Sequence, residues 1–132
     1  MAKVLVVDDD QDILEVISLI LKKEQIETET ISDSGKALNI IRNNGNDYDL
    51  ILLDIMMPGL SGTELCSLVR DKVQVPIIFV SAKSEMVDKI VGYEIGGDDY
   101  ITKPFDNTEL VLKVKSHLRM NKRSSLRSTG NI

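Results

Sequence analysis

Three consecutive aspartates, Asp8, Asp9 and Asp10, follow the apolar run VLVV at 4–7. Adjacent like charges repel, so the cluster is either a solvated turn leading into a helix or a site that holds a cation. A further aspartate, Asp54, follows LILL at 50–53, Ser81 follows PIIFV at 76–80, and Lys103 follows DYIT at 99–102. Oxygen ligands alone suit a hard divalent ion such as Mg²⁺, which takes one or two carboxylates and completes its octahedron with waters and phosphate oxygens. A carboxylate can also attack phosphorus to give an acyl phosphate, provided that a cation and a placed lysine neutralise the transferring oxygens. Asp54, Lys103 and the Ser81 hydroxyl are the groups such a step needs.

These residues can cooperate only if the chain brings them to one edge. KVLVV at 3–7, ETETI at 27–31, LILL, PIIFV and DYIT are predicted strands, buried on both faces because their apolar runs are short and continuous. ETETI alternates and is expected at an edge. Helical spacing links Ile13, Val16, Ile17, Ile20 and Leu21; Ala37, Leu38, Ile40 and Ile41; Leu65, Leu68 and Val69; Met86, Val87, Ile90 and Val91; and Leu110, Val111, Val114 and Leu118. Strand and helix alternate five times, which implies right-handed crossovers and an α/β domain with helices on both faces of a parallel sheet.

In such sheets the ligand crevice lies beyond the carboxyl ends of the strands, where strand order reverses direction. For a five-stranded, flavodoxin-like order 2-1-3-4-5 the reversal falls between strands one and three. Asp8, Asp9 and Asp54 then flank one crevice, and the cation offsets their repulsion. Asp10 and Asp12 need no such role, because acids at a helix N-terminus favour its dipole. Ser34 is expected to cap the second helix, NNGND at 43–47 to end it, and PGLSG at 58–62 and GGDD at 96–99 to form loops.

The 132 residues fit one domain, and no apolar run approaches the ~20 residues of a membrane span. The N-terminus lacks the long apolar stretch and cleavage site of a secretion signal, so the expected location is cytoplasmic. A single cysteine, Cys66, excludes an internal disulfide and is expected to be a small helix residue; one histidine, His117, excludes a Cys/His metal cluster. His117 is expected at the surface, away from the crevice. Residues 1–110 carry a net charge of −11 and residues 111–132 one of +6. The basic end is taken as a solvated face, and NKRSSLRSTGNI, polar and without periodicity, as a linker or frayed tail at 121–132.

Over residues 2–120 the chain resembles the receiver domains of bacterial two-component response regulators. The resemblance rests on VLVVDDD, LILLDIMMPGLSG, PIIFVSA and GGDDYITKPF, four motifs in order and at suitable separations. It implies a receiver domain over 1–120, with Asp54 as phosphoacceptor and Asp8 and Asp9 as the acidic pair. Asp9, Asp54 and the backbone carbonyl of Met56 would bind Mg²⁺ (or Mn²⁺) directly, and Asp8 mainly through water. Ser81 and the Ala82 backbone would bind phosphate with Lys103, and Ser81 would also act as the switch hydroxyl. Tyr100 would be the aromatic switch, turning inward when Ser81 shifts. The Lys103–Pro104 bond is expected to be cis, an isomer that only X–Pro bonds adopt cheaply. The phosphoryl group would come from a phosphohistidine on a sensor histidine kinase, and Met56 and Lys83, flanking the crevice, would tune its hydrolysis.

Phosphorylation would then rearrange the face built from helix four, strand five and helix five. Lys89, Glu94, Asp98, Asp99, Glu109, Lys113, Lys115 and Arg119 carry mixed charge there. In receivers of the OmpR/PhoB winged-helix type similar charges pair across a twofold axis, where Lys89 would meet Glu109 and Asp99 would meet Lys113 of a second copy, as symmetry demands. The expected output is control of transcription. DNA contact is expected only through an output domain beyond this chain. Three other classes share features with the sequence: a degenerate receiver that binds proteins without phosphorylation, a magnesium-dependent phosphohydrolase, and a flavodoxin-like cofactor carrier. The complete acid, serine and lysine set opposes the first. The second lacks its Asp-x-Asp pattern around Asp54, and the third its Ser/Thr-rich loop after strand one.

Overall fold

A computed structural model describes residues 1–83 and 85–130. Strands β1 (Lys3–Val7), β2 (Glu27–Ile31), β3 (Leu50–Leu53), β4 (Ile77–Ser81) and β5 (Asp99–Thr102) form one sheet in the order β2-β1-β3-β4-β5. Every pairing is parallel. Helices α1 (Gln11–Lys23), α2 (Ser34–Asn44), α3 (Gly62–Val69), α4 (Met86–Glu94) and α5 (Asn107–Gly130) connect or follow them. The expected α/β architecture and strand order are what the chain adopts.

Side-chain alternation splits the core into two layers. Val4, Val6, Leu50, Leu52, Ile78, Val80 and Ile101 meet Leu14, Ile17 and Leu21 of α1 and Leu110 and Val114 of α5. Leu5, Val7, Ile51, Leu53, Ile77 and Phe79 face the other way, onto Ala37 and Ile41 of α2 and Leu65, Cys66 and Val69 of α3. Cys66 is a buried helix residue whose thiol burial pushes up to about 11, so it stays protonated and inert.

Several local expectations are corrected. The strand expected at 76–80 runs one residue later, because Pro76 has no N–H for the ladder and offers only its carbonyl, to the Ile51 N–H at 2.9 Å. Asp33, not Ser34, caps α2, accepting from the Lys36 N–H at 2.8 Å. Ser34 is buried and ties down the β3–α3 loop, donating to the Pro58 carbonyl and accepting from the Leu60 N–H. Within the segment 121–132, expected as a linker or tail, α5 continues through 121–130, and 131–132 lie outside the described residues. Lack of apolar periodicity does not prevent a helix there, because the stretch contains no proline and no glycine before Gly130.

Helix α4 is held differently from the others. Its only buried residue is Gly92, while Met86, Val87, Ile90 and Val91, the set with helical spacing, are exposed. Gly92 lets α4 lie close on the sheet: a Cβ there would sit 3.1 Å from the Phe79 ring and 3.4 Å from that of Tyr100. A helix anchored through a glycine buries little apolar surface of its own, which is the composition of an element able to move.

Candidate functional site

Each strand that borders the crevice delivers a polar residue to the carboxyl edge of the sheet. After β1, Asp8 is buried, its N–H donating to the Ile31 carbonyl and one carboxylate oxygen accepting from the Asp10 N–H. Asp10 is the cap of α1, accepting from the N–H groups of Asp12 and Ile13. The three adjacent aspartates therefore divide their work: Asp8 turns inward, Asp9 remains exposed at the crevice, and Asp10 starts the helix. After β3, Asp54 is only 4% exposed; its N–H donates to the Val7 carbonyl and its Oδ1 accepts from the Met56 N–H.

Oxygens of Asp8, Asp9 and Asp54 lie within 4.8 Å of one another. Lys103, just past β5, donates from Nζ to Asp8 Oδ2 at 2.6 Å and stands 3.6 Å from Asp54 Oδ2. Its own N–H is bonded to the Ser81 carbonyl, and its peptide bond to Pro104 is cis. Three carboxylates against one ammonium leave an excess of two negative charges when all are ionised. Burial, with the neighbouring Asp8 charge added, raises the Asp54 pKa from 3.8 to about 6, although Lys103 pulls it down. An all-oxygen donor set carrying that excess fits a hard divalent cation.

Ser81 ends β4 fully buried, and its hydroxyl accepts from the Lys83 N–H at 3.3 Å. Ala82 and Lys83 beside it are exposed, as is Met56 across the crevice. Tyr100 already lies inward, 4% exposed, its hydroxyl donating to the Lys83 carbonyl and its ring tilted against Phe79. The inward turn expected to follow a shift of Ser81 is thus the orientation found. Burial holds the Tyr100 phenol above its ordinary range, so it donates as a neutral hydroxyl.

Of the eight charges expected on one face, Asp98 and Lys115 turn to partners off it, and the other six lie on α4, β5 and α5. Lys89 stands over the Tyr100 ring, 5.9 Å from its centroid, and Glu109 lies 3.7 Å from Lys113 one helical turn on. Asp99 and Lys113 meet within the chain at 3.5 Å, and the Lys113 ammonium also donates to the Tyr100 carbonyl. Asp98 is turned away to the Arg70 guanidinium and the Ile77 N–H. Lys115 reaches Glu24 at the end of α1, and Glu94 and Arg119 are exposed. His117, expected at the surface, is largely covered and its Nε2 is 2.9 Å from Asp99 Oδ2.

Sequence reasoning missed two positioning residues, one at this edge of the sheet and one at the opposite edge. Gly62, at the start of α3, packs so tightly that a Cβ would stand 2.0 Å from the Asp54 carbonyl oxygen. Arg70 joins α3 to the opposite edge through the carbonyls of Val73, Val75 and Gly96 as well as Asp98. The signal for Gly62 was its place in PGLSG, where a turn explained it equally well. Arg70 had none.

Comparison with known proteins agrees with this geometry. The model of the response regulator receiver domain matches residues 4–115. The receiver domain of the Francisella response regulator 1452 is 38% identical, with a TM-score of 0.84 over 91% of this chain and 98% of that one. A two-component response regulator from Clostridium difficile is 30% identical, with a TM-score of 0.84 over 90% and 97%. The BeF3-activated N-terminal receiver domain of Klebsiella pneumoniae RstA is 31% identical, with a TM-score of 0.83 over 89% and 98%. Among the described residues no helix is long and apolar enough to cross a membrane. Fold, acidic crevice and family match agree: the chain belongs to the receiver domains of two-component response regulators, phosphoaccepting signalling switches whose partners are histidine kinases.

Proposed function

We propose that Asp54 takes the phosphoryl group from a phosphohistidine of the sensor kinase. The observation that carries this is the position of Asp54, buried at the crevice floor between Asp8, Asp9 and Lys103. In the transfer an Asp54 carboxylate oxygen forms a bond to phosphorus while the P–N bond breaks, its electron pair returning to the imidazole. The attacking carboxylate must be ionised, and with a pKa of about 6 it is mostly so at neutral pH. Lys103 leaves Asp8 for the transferred group, and the Ser81 hydroxyl and Ala82 N–H donate to its oxygens. Asp9, Asp54 and the Met56 carbonyl would hold Mg²⁺ or Mn²⁺, with Asp8 acting mainly through water, and the ion would supply the remaining neutralisation of phosphoryl charge.

The phosphoryl group brings about two negative charges to the crevice. It draws Ser81 and Lys103 toward itself and biases Tyr100, Lys83 and the lightly anchored α4 toward one of two arrangements. A thousandfold change in their ratio requires about 4 kcal/mol of differential stabilisation. The α4–β5–α5 face then pairs with a second copy in the OmpR/PhoB manner, Lys89 to Glu109 and Asp99 to Lys113, and an output domain controls transcription. The description of the Klebsiella relative as an N-terminal receiver supports a receiver that acts on a following domain. After incubation with acetyl phosphate and Mg²⁺, the adduct should be released by hydroxylamine, as an acyl phosphate is, and peptide mapping should place it on Asp54. A hydroxylamine-resistant adduct or one on another residue would overturn the assignment.

A further inference from the structure

Ser34 has no part in the chemistry at Asp54, yet it holds the loop between β3 and α3 from the neighbouring end of the sheet. Its own place is fixed. The carbonyl of Ile31, the last residue of β2, accepts from the Asp8 N–H, and Asp33 caps α2 by accepting from the Lys36 N–H, so Ser34 begins a pinned helix beside the crevice. A hydroxyl can donate and accept at once. Ser34 does both: it donates to the Pro58 carbonyl at 3.2 Å and accepts from the Leu60 N–H at 3.1 Å, and it is only 6% exposed. Among the described residues neither of those loop groups has a backbone partner. Gly59 between them has a φ of +79°, and a Cβ there would stand 3.2 Å from the Ser34 oxygen. The most pliable residue of the loop is therefore the one that the hydroxyl straddles.

We propose that Ser34 is a positioning residue for the divalent ion: by clamping Pro58 and Leu60 it holds the Met56 carbonyl in the direction that a small octahedral cation requires. The proposal rests on the reading that Asp9, Asp54 and that carbonyl hold the ion. The path from clamp to ligand is short and stiff. The ring of Pro58 fixes its φ, and Met57, as the residue before a proline, is biased to extended backbone. Met57 is also buried, and its N–H, in the same peptide as the Met56 carbonyl, donates to the Ile55 carbonyl at 3.2 Å. The Ile55 carbonyl accepts from the Gly62 N–H too, and the Met56 N–H donates to Asp54. These bonds hold the Met56–Pro58 segment at its start, and Ser34 holds it at its end. Without the hydroxyl, Gly59 becomes a free joint, the segment loses its second anchor and the Met56 peptide can tilt. Mg²⁺ demands near-ideal octahedral geometry, whereas the larger Ca²⁺ accepts flexible arrangements of oxygens. A tilted carbonyl therefore costs Mg²⁺ far more than it costs Ca²⁺.

Titration of Mg²⁺ and Ca²⁺ into the whole chain, followed through the amide NMR shifts of Asp9 and Met57, tests this in wild type, Ser34→Ala and Ser34→Thr. Ser34→Ala should bind Mg²⁺ about tenfold more weakly, the ordinary effect of losing a group that orients a metal ligand, and Ca²⁺ no more than about twofold more weakly. Ser34→Thr keeps the hydroxyl and should bind both ions as the wild type does. Hydrogen exchange of the Leu60 amide in metal-free buffer reports the clamp without the ion, and it should run about tenfold faster in Ser34→Ala. If wild type binds Mg²⁺, any of four results overturns the proposal alone: an unchanged Leu60 rate, an unchanged Mg²⁺ affinity, an equal loss for the two ions, or a Ser34→Thr variant as weak as Ser34→Ala. No response of the wild type to Mg²⁺ would overturn the metal reading and the proposal with it.

Discussion

Lys103 lies closer to Asp8 than to Asp54, its ammonium 2.6 Å from an oxygen of the first and 3.6 Å from one of the second. Its immediate duty is therefore to balance a buried carboxylate. Lys103→Ala strands Asp8 without a counter-charge, a change that ordinarily costs about 3 kcal/mol. Urea unfolding at neutral pH should show that loss in EDTA, and saturating Mg²⁺ should restore much of it. An equal loss with and without the metal would mean that no divalent ion replaces the lysine charge.

The Asp54 pKa, raised from 3.8 to about 6, sets a sign for stability against pH. Between these values the folded chain holds the proton that the unfolded chain has lost, so Asp54 contributes a loss of stability as pH rises through that window. In metal-free buffer Asp54→Asn should be more stable than wild type by about 1–2 kcal/mol above pH 7, allowing for screening where the crevice opens to water. Below about pH 3 the difference should vanish, because Asp54 is then neutral in the folded and the unfolded chain alike. Denaturation curves at the two pH values test this directly; a gap that persists in acid would point to packing rather than charge.

Gly62 fixes the backbone that carries Asp54. A Cβ there meets the Asp54 carbonyl oxygen at 2.0 Å and the Ile55 Cα at 2.8 Å, both parts of the main chain that cannot swing aside. Gly62→Ala should cost about 2–4 kcal/mol and slow phosphorylation by acetyl phosphate at least tenfold, because relief of the clash displaces Asp54. Thermal unfolding and the rate of adduct formation would measure the two effects. A stable variant with an unchanged rate would show that α3 can retreat without moving Asp54.

Arg70 works at the opposite edge of the sheet, where β4 and β5 begin. Its guanidinium donates to Gly96, Asp98, Val73 and Val75, a fork that lysine cannot reproduce. Arg70→Lys should lower stability by about 2–3 kcal/mol through the lost bonds while leaving the yield of phosphorylated protein unchanged. A drop in yield without a drop in stability would connect this edge to the crevice.

The sheet was legible because its central strands β1, β3 and β4 are buried on both faces, which writes them as unbroken aliphatic runs such as LILL and PIIFV. The crevice was legible for a related reason: in a parallel sheet the residue after each run lies at one edge, so Asp8, Asp54, Ser81 and Lys103 come together by topology alone. Contacts made by long side chains across the fold leave no such record. Nothing in the spacing shows that Lys115 turns to Glu24, that Asp98 turns to Arg70, or that His117 reaches Asp99. Helical spacing located α4 but left unstated that Met86, Val87, Ile90 and Val91 form an apolar set that the domain leaves exposed. Periodicity shows that residues share a face; it does not show that the face is covered.

The claim on which the account depends is that Asp54 accepts phosphate with a divalent cation beside it. Intact-mass spectrometry after incubation with acetyl phosphate and Mg²⁺ tests it most directly, comparing wild type with Asp54→Ala and with an EDTA control. A single phosphoryl adduct, absent from the variant and from the metal-free sample, is the predicted result. An adduct that survives Asp54→Ala, or none on wild type with acetyl phosphate or with a panel of phosphorylated histidine kinases, would contradict the account and leave a domain that binds its partners without phosphorylation.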